Sequence, residues 1–134
     1  KILFEYRSND LSDDLIFISA SFKGSKKNKD EIKKEIYELK NKKNKSQPSK
    51  IKTSGSTFKN PIKQTNKKVW ELIKESVPLS TKFGGASISS KHCNFFVNEN
   101  NASFNDMNKL IEFVIDNVEK KTGVRLEREI KILE

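Results

Sequence analysis

The longest apolar pattern in the chain lies between residues 103 and 123. Met107, Leu110, Ile111, Val114, Ile115 and Val118 recur at helical spacing and form one continuous stripe. Ser103-x-x-Asp106 opens it as a capping-box variant, with Asp in place of the usual Glu or Gln, and Gly123 stands where a C-terminal cap belongs. The pattern predicts a helix whose stripe is core. Val124 to Leu133 then alternates, with Val124, Leu126, Ile130 and Ile132 on one face and Arg125, Glu127, Glu129 and Lys131 on the other, which predicts a terminal strand. Arg128 interrupts the apolar face, as expected of a strand passing a cleft or a sheet edge. Val69, Leu72 and Ile73 predict a helix over 66–76, ended by Pro78, with Trp70 as a packing residue. Asn94–Asn98 reads as a strand. So do Ile2–Tyr6 and Leu15–Phe22, which are short, apolar and β-branched. Asp30 to Asn41 reads as a helix with Ile32, Ile36 and Leu39 on one face and lysines around the rest. The mixture predicts an α+β fold. The stretch 44–52, rich in Lys, Ser and Pro, predicts the domain boundary.

Charge sharpens this picture at one place. The 134 residues are 34% hydrophobic and 34% charged, with a formal net charge of +9. Residues 23–52 carry twelve lysines against Asp30, Glu31, Glu35 and Glu38, a net of +8, so the rest of the chain is nearly neutral. The lysines sit on one helix and a linker with almost no aromatic residues among them, which reads as a solvated face. A non-enzymatic basic module binding nucleic acid or another polyanion is the alternative, although such modules interleave base-reading or aromatic groups. Cys93 is the single cysteine, so no intrachain disulfide forms, and a lone thiol suits a reducing compartment. No apolar run approaches the ~18 residues of a membrane span. Asp10, Asp13 and Asp14 do not match a calcium-loop spacing, and no metal site is expected. The chain has no initiating Met and begins inside a predicted strand; it reads as a piece of a longer protein.

The densest punctuation is Thr53-Ser54-Gly55-Ser56-Thr57-Phe58-Lys59-Asn60-Pro61. Gly55 permits a turn and Pro61 biases Asn60 towards an extended conformation. Between them stand hydroxyls, a cation and an amide, the groups from which an anion or oxyanion site is built. A turn decorated with polar residues accounts for the same pattern. Gly84-Gly85 is not followed by a helical pattern, which argues against a phosphate cradle there. His92 and Cys93 are neighbours in an extended run and point to opposite faces, so they do not read as a nucleophile and its base.

Together with Tyr6-Arg7, Ser46-Gln47-Pro48, the segment from Gly84-Gly85 to His92-Cys93-Asn94-Phe95-Phe96-Val97-Asn98, and Leu126-Glu127-Arg128-Glu129-Ile130, this loop resembles the C-terminal part of the UDP-N-acetylenolpyruvoylglucosamine reductase (UDP-N-acetylmuramate dehydrogenase) family, in its shorter class without an extra tyrosine loop. The resemblance implies a flavoenzyme of peptidoglycan synthesis in the bacterial cytoplasm. It would use FAD, with NADPH as co-substrate, to reduce UDP-N-acetylglucosamine enolpyruvate. It implies that residues 1–45 end the FAD-binding domain, 46–123 form the substrate-binding domain, and 124–134 form a strand carrying a catalytic Glu. Most of the flavin-binding half would lie upstream, outside this chain, and the piece alone would be inactive.

Residue by residue, Arg7, Ser56 and Glu129 match the family's catalytic trio, and Glu127 is the neighbour that does not. Tyr6, Lys59, Asn60 and His92 match substrate contacts, Asn60 and His92 at the diphosphate. The chemistry suits those types. Hydride addition to an unsaturated carboxylate builds negative charge that fixed donors must stabilise. An Arg fork fits a carboxylate, and a carboxylic acid kept neutral can donate to an enolate. A Ser hydroxyl can protonate a carbanion-like centre. One departure is Ser8-Asn9 after Tyr6-Arg7, where the family favours a Ser at the second position.

Overall fold

The computed structural model describes residues 2–133, and its backbone contacts separate the chain into Lys1–Tyr37 and Glu38–Glu134. In the first unit, β1 (Phe4–Glu5) and β2 (Ser8–Asn9) form an antiparallel hairpin with Phe4 opposite Asn9. Asp10 closes it, its N–H donating to the Leu3 carbonyl at 3.2 Å and its Oδ1 accepting from the Leu3 N–H at 2.9 Å. The strand expected over Ile2–Tyr6 is thus shortened to two residues. The strand expected over Leu15–Phe22 does not form: these residues are extended or irregular, and Ile16, Ile18 and Phe22 are 87%, 94% and 93% exposed. A strand's N–H and C=O groups need a neighbouring strand, and the described residues supply none here.

Helix α1 (Lys29–Ser46) contains the division between the units. Asn28 Oδ1 accepts the Asp30 N–H at 2.8 Å, acids occupy the first turn and Lys43 and Lys45 the last, in keeping with the helix dipole. The helix runs five residues past Asn41, because no breaker intervenes before Pro48. None of its residues is buried.

The second unit holds the core. Its four-stranded antiparallel sheet has the order β3-β6-β5-β4, from β3 (Lys52–Ser56), β4 (Lys82–Phe83), β5 (Ala86–Ile88) and β6 (Phe95–Asn98). Helix α2 (Val69–Ser76) buries Val69, Leu72 and Ile73, and α3 (Phe104–Thr122) buries Leu110, Ile111, Val114, Ile115 and Val118. These side chains meet Phe58, Ala86, Ile88 and Phe96 in one cluster. The stripe read from the sequence is therefore the core face of α3. Ser103 Oγ accepts the Asp106 N–H at 3.1 Å, Asp106 Oδ2 accepts the Ser103 N–H at 2.9 Å, and Gly123 sits at φ +73° as the left-handed cap. The small-residue segment 81–90, for which no strand was expected, makes the β4–β5 hairpin.

Residues 124–133 form no strand beyond a single antiparallel bridge, Arg128 opposite Phe58. The alternation is still visible, with Val124 and Leu126 buried and Arg125 and Glu127 exposed. The backbone bonds between the two segments are those around this bridge, from Lys59 N–H to the Glu127 carbonyl and from Glu129 N–H to the Thr57 carbonyl. Arg128 shares the side of Phe58 and turns its guanidinium to Glu112 on α3, so a charged head occupies the interrupted apolar face.

Candidate functional site

Ser56 ends β3 opposite Phe95, just after an irregularity in register between Thr53 and Ser56. Gly55, at φ +91°, lies in that irregularity, a conformation that side chains with a Cβ resist. From here the chain is held on both sides. The Thr57 N–H donates to the Asn94 carbonyl at 2.8 Å, while the Thr57 carbonyl accepts the Glu129 N–H at 2.8 Å. The Lys59 N–H donates to the Glu127 carbonyl at 2.9 Å. The Ser56–Asn60 loop therefore lies between β6 and the tail, and Glu129 stands opposite Thr57, one residue from Ser56. Glu127 stands opposite Lys59 and forms an ion pair with it.

Asn94 was read from the sequence only as the start of a strand, yet it is buried and bonds the loop directly. Its Oδ1 accepts the Phe58 N–H at 3.0 Å and its Nδ2 donates to the Phe58 carbonyl at 2.9 Å. Thr57 carries one of the two hydroxyls between Gly55 and Pro61. It is 1% exposed and its Oγ1 has no hydrogen-bond partner among the described residues. No local pattern singles Asn94 out, because the run it opens ends on a second amide, Asn98.

The Asn60 Oδ1 accepts the Val69 N–H at 3.1 Å, so Asn60 ties the loop to the first turn of α2. His92 is half-buried; its Nδ1 accepts the Asn94 N–H at 3.3 Å and its ring meets Phe95 edge-on at 5.0 Å. Burial holds its pKa below the ordinary histidine value. With Nδ1 accepting, the neutral ring presents Nε2 as its donor. His92 lines a cleft of about 400 Å³ with Trp70, Lys74, Leu79, Lys91 and Cys93. Trp70 is 43% exposed and so borders this cleft rather than filling the core. The Cys93 thiol donates to the Trp70 carbonyl at 3.1 Å, and burial pushes its pKa up, which suits an inert thiol. Tyr6 and Arg7 belong to the other unit, in the β1–β2 turn. Arg7 takes a left-handed φ of +58° there, and its guanidinium carbon lies 5.5 Å from the Tyr6 ring centre.

No group of three His, Cys, Asp or Glu side chains that could hold a metal occurs among the described residues. Gly84 and Gly85 are occupied by packing within the protein. A Cβ on Gly85 would lie 2.2 Å from the Asn100 carbonyl oxygen, and one on Gly84 2.5 Å from Asp106 Oδ2, so both serve the close packing of the hairpin. No helix of the described residues is long and apolar enough to cross a membrane.

Residues 47–133 match the family model described as UDP-N-acetylenolpyruvoylglucosamine reductase, C-terminal domain. The chain is 74% identical over 133 residues to the UDP-N-acetylenolpyruvoylglucosamine reductase of Pelagibacter ubique, covering 99% of this chain and 44% of that protein. It is 44% identical over 128 residues to the same-named protein of a Wolbachia from Drosophila simulans, covering 96% and 42%. The crystal structure of the reductase from Thermus caldophilus superposes with a TM-score of 0.59 at 29% identity, covering 80% of this chain and 36% of that one. The chain thus spans less than half the length of the curated relatives it matches, and these comparisons lend nothing to the basic-module alternative. The chain belongs to the UDP-N-acetylenolpyruvoylglucosamine reductase family, of which it carries the C-terminal domain.

Proposed function

We propose that this chain supplies the substrate side of a reductase that converts UDP-N-acetylglucosamine enolpyruvate to UDP-N-acetylmuramate in bacterial peptidoglycan synthesis. The observation that carries the reading is the register of the tail, which sets Glu129 opposite Thr57 and so beside Ser56. Two motif blocks more than seventy residues apart in sequence are brought within one residue of each other. In the complete reductase FAD, with NADPH as co-substrate, would supply the hydride, and residues outside this chain would hold its diphosphate. The 134-residue piece alone then neither binds flavin stoichiometrically nor oxidises NADPH.

In this reading the Ser56 hydroxyl delivers the proton to the carbon next to the carboxylate. Glu129 donates to the enolate oxygen that forms, and the Arg7 fork binds the carboxylate. Asn60, His92, Lys59 and Tyr6 hold the nucleotide part, with His92 Nε2–H aimed at a phosphate oxygen. His92 acts here as a neutral donor, because its burial disfavours the cation.

The test uses the complete reductase carrying these residues and the change Ser56→Ala. Flavin reduction by NADPH does not use the Ser56 proton and proceeds at the parent rate. Reoxidation of the reduced flavin by the enolpyruvyl substrate slows by roughly 10²-fold or more, the scale of losing one transition-state group. Stopped-flow absorbance reads both steps. Unchanged reoxidation would leave Ser56 as a turn residue and remove the proton-donor role.

A further inference from the structure

We propose that Asn94 is a positioning residue for the proton-delivery loop, acting as a side-chain substitute for a missing strand beside Phe58. The inference rests on the role of Ser56 given above.

The need for such a residue follows from the hydrogen-bond alternation of extended chains. On the tail side, Thr57 and Lys59 make the backbone bonds, which directs the N–H and C=O of Phe58 towards β6. On that side the backbone has already turned away. The Phe95 N–H donates to the His92 carbonyl at 2.9 Å, so residues 92–95 form a turn and no strand backbone faces Phe58. The carboxamide of Asn94 fills the place. It presents one acceptor and one donor, as a peptide group does, at 3.0 and 2.9 Å from the Phe58 N–H and C=O. Phe58 is 1% exposed and Asn94 7%, so water does not take over these bonds if the carboxamide is lost.

Asn94 also reaches the rest of the site through its backbone. Its carbonyl accepts the Thr57 N–H, and its N–H donates to His92 Nδ1. Thr57 in turn accepts the Glu129 N–H. One residue thus links the histidine block, the Ser56 loop and the acid-bearing tail by a continuous series of bonds. Other side chains fail in definite ways. Leu offers neither bond. An ionised Asp accepts from the Phe58 N–H but opposes its carbonyl oxygen, whereas a protonated Asp restores both bonds, since its O–H replaces the amide N–H.

That last property supplies the test. In the complete reductase, Asn94→Asp and Asn94→Leu are compared with the parent for the two flavin half-reactions and for thermal melting. Expected for Asn94→Asp is a loss of roughly tenfold to a hundredfold in substrate-driven reoxidation at about pH 8, with NADPH-driven reduction within about twofold of the parent. The deficit closes as the pH is lowered to about 5, because burial beside a carbonyl raises the pKa of the introduced carboxyl. Asn94→Leu shows the same deficit at every pH. His92, Lys59, Glu127, Arg128 and Glu129 border the loop in variant and parent alike, and Asn94→Leu, which carries no carboxyl, is the control for any pH response that comes from them. A variant-to-parent ratio for Asn94→Asp that ignores pH overturns the proposal, and so does equal slowing of both half-reactions in step with the melting temperature. If Asn94→Leu does not fold, the pH response of Asn94→Asp still decides. Ser56→Ala run alongside separates the two claims. If it leaves reoxidation unchanged, the proton-donor reading fails. If it slows reoxidation while the Asn94 variants do not, only the positioning role fails.

Discussion

Glu127 and Glu129 stand two residues apart on one extended segment, yet their surroundings differ. Glu127 is exposed and paired with Lys59, while Glu129 is half-buried and fixed by its N–H on Thr57. Glu129→Gln in the complete reductase keeps a hydrogen-bond donor but loses the acid, and is expected to lower turnover by roughly 10²–10³-fold, the scale of a disturbed transition-state group. Glu127→Gln removes an ion pair at the surface and is expected to leave turnover within about twofold and stability within about 1 kcal/mol. Steady-state kinetics and chemical denaturation check the pair. His92 carries a second prediction. Its folded-state pKa lies below the ordinary value of 6.5, so the unfolded chain takes up a proton first as the pH falls. Stability is full above about 6.5 and falls as the pH drops through that value towards the folded-state pKa. The depressed carboxylates Glu99 and Asp106 titrate below 4.5 and 3.8 and do not contribute in this window. Melting temperatures between about pH 7.5 and 5.5 should therefore fall more steeply for the parent than for His92→Gln.

At the scale of elements, α3 is the best determined by its own sequence, since stripe, box and cap agree. Leu110→Ala, at a fully buried position, is expected to lose about 2–5 kcal/mol, and Ser103→Ala about 1 kcal/mol, in urea denaturation. The failures of sequence reading are equally physical. The run Leu15–Phe22 has the composition of a strand, but composition cannot provide the neighbour that its backbone needs. The β4–β5 hairpin has strands of only two and three residues, too short for an alternation of apolar and polar positions to show. Their position is set by Gly84 and Gly85 packing against Asp106 and Asn100.

At the scale of the molecule, the core lies in Glu38–Glu134, while the apolar residues of segment 15–22 are exposed. Limited proteolysis of the 134-residue chain is expected to cut first within residues 10–28, leaving a stable product that retains residues 52–126. The intact chain is expected to purify without a stoichiometric flavin absorbance band. Mass spectrometry and a visible spectrum read the two outcomes, and early cleavage in α3 or a flavin-loaded chain would contradict them.

The order of the motif blocks in the sequence was enough to indicate the family, and local periodicity was enough to specify α3 and the buried face of α2. Those features depend on residues three or four positions apart, which a single helix brings together by itself. The sequence also named Ser56 and Glu129 by motif, but not their proximity. That proximity arises from the antiparallel pairing of Phe58 with Arg128, a contact across seventy residues that no local pattern encodes. The role of Asn94 was hidden for the same reason: its partner is the backbone of Phe58, and backbone groups are alike at every position until the fold decides which of them are left unpaired.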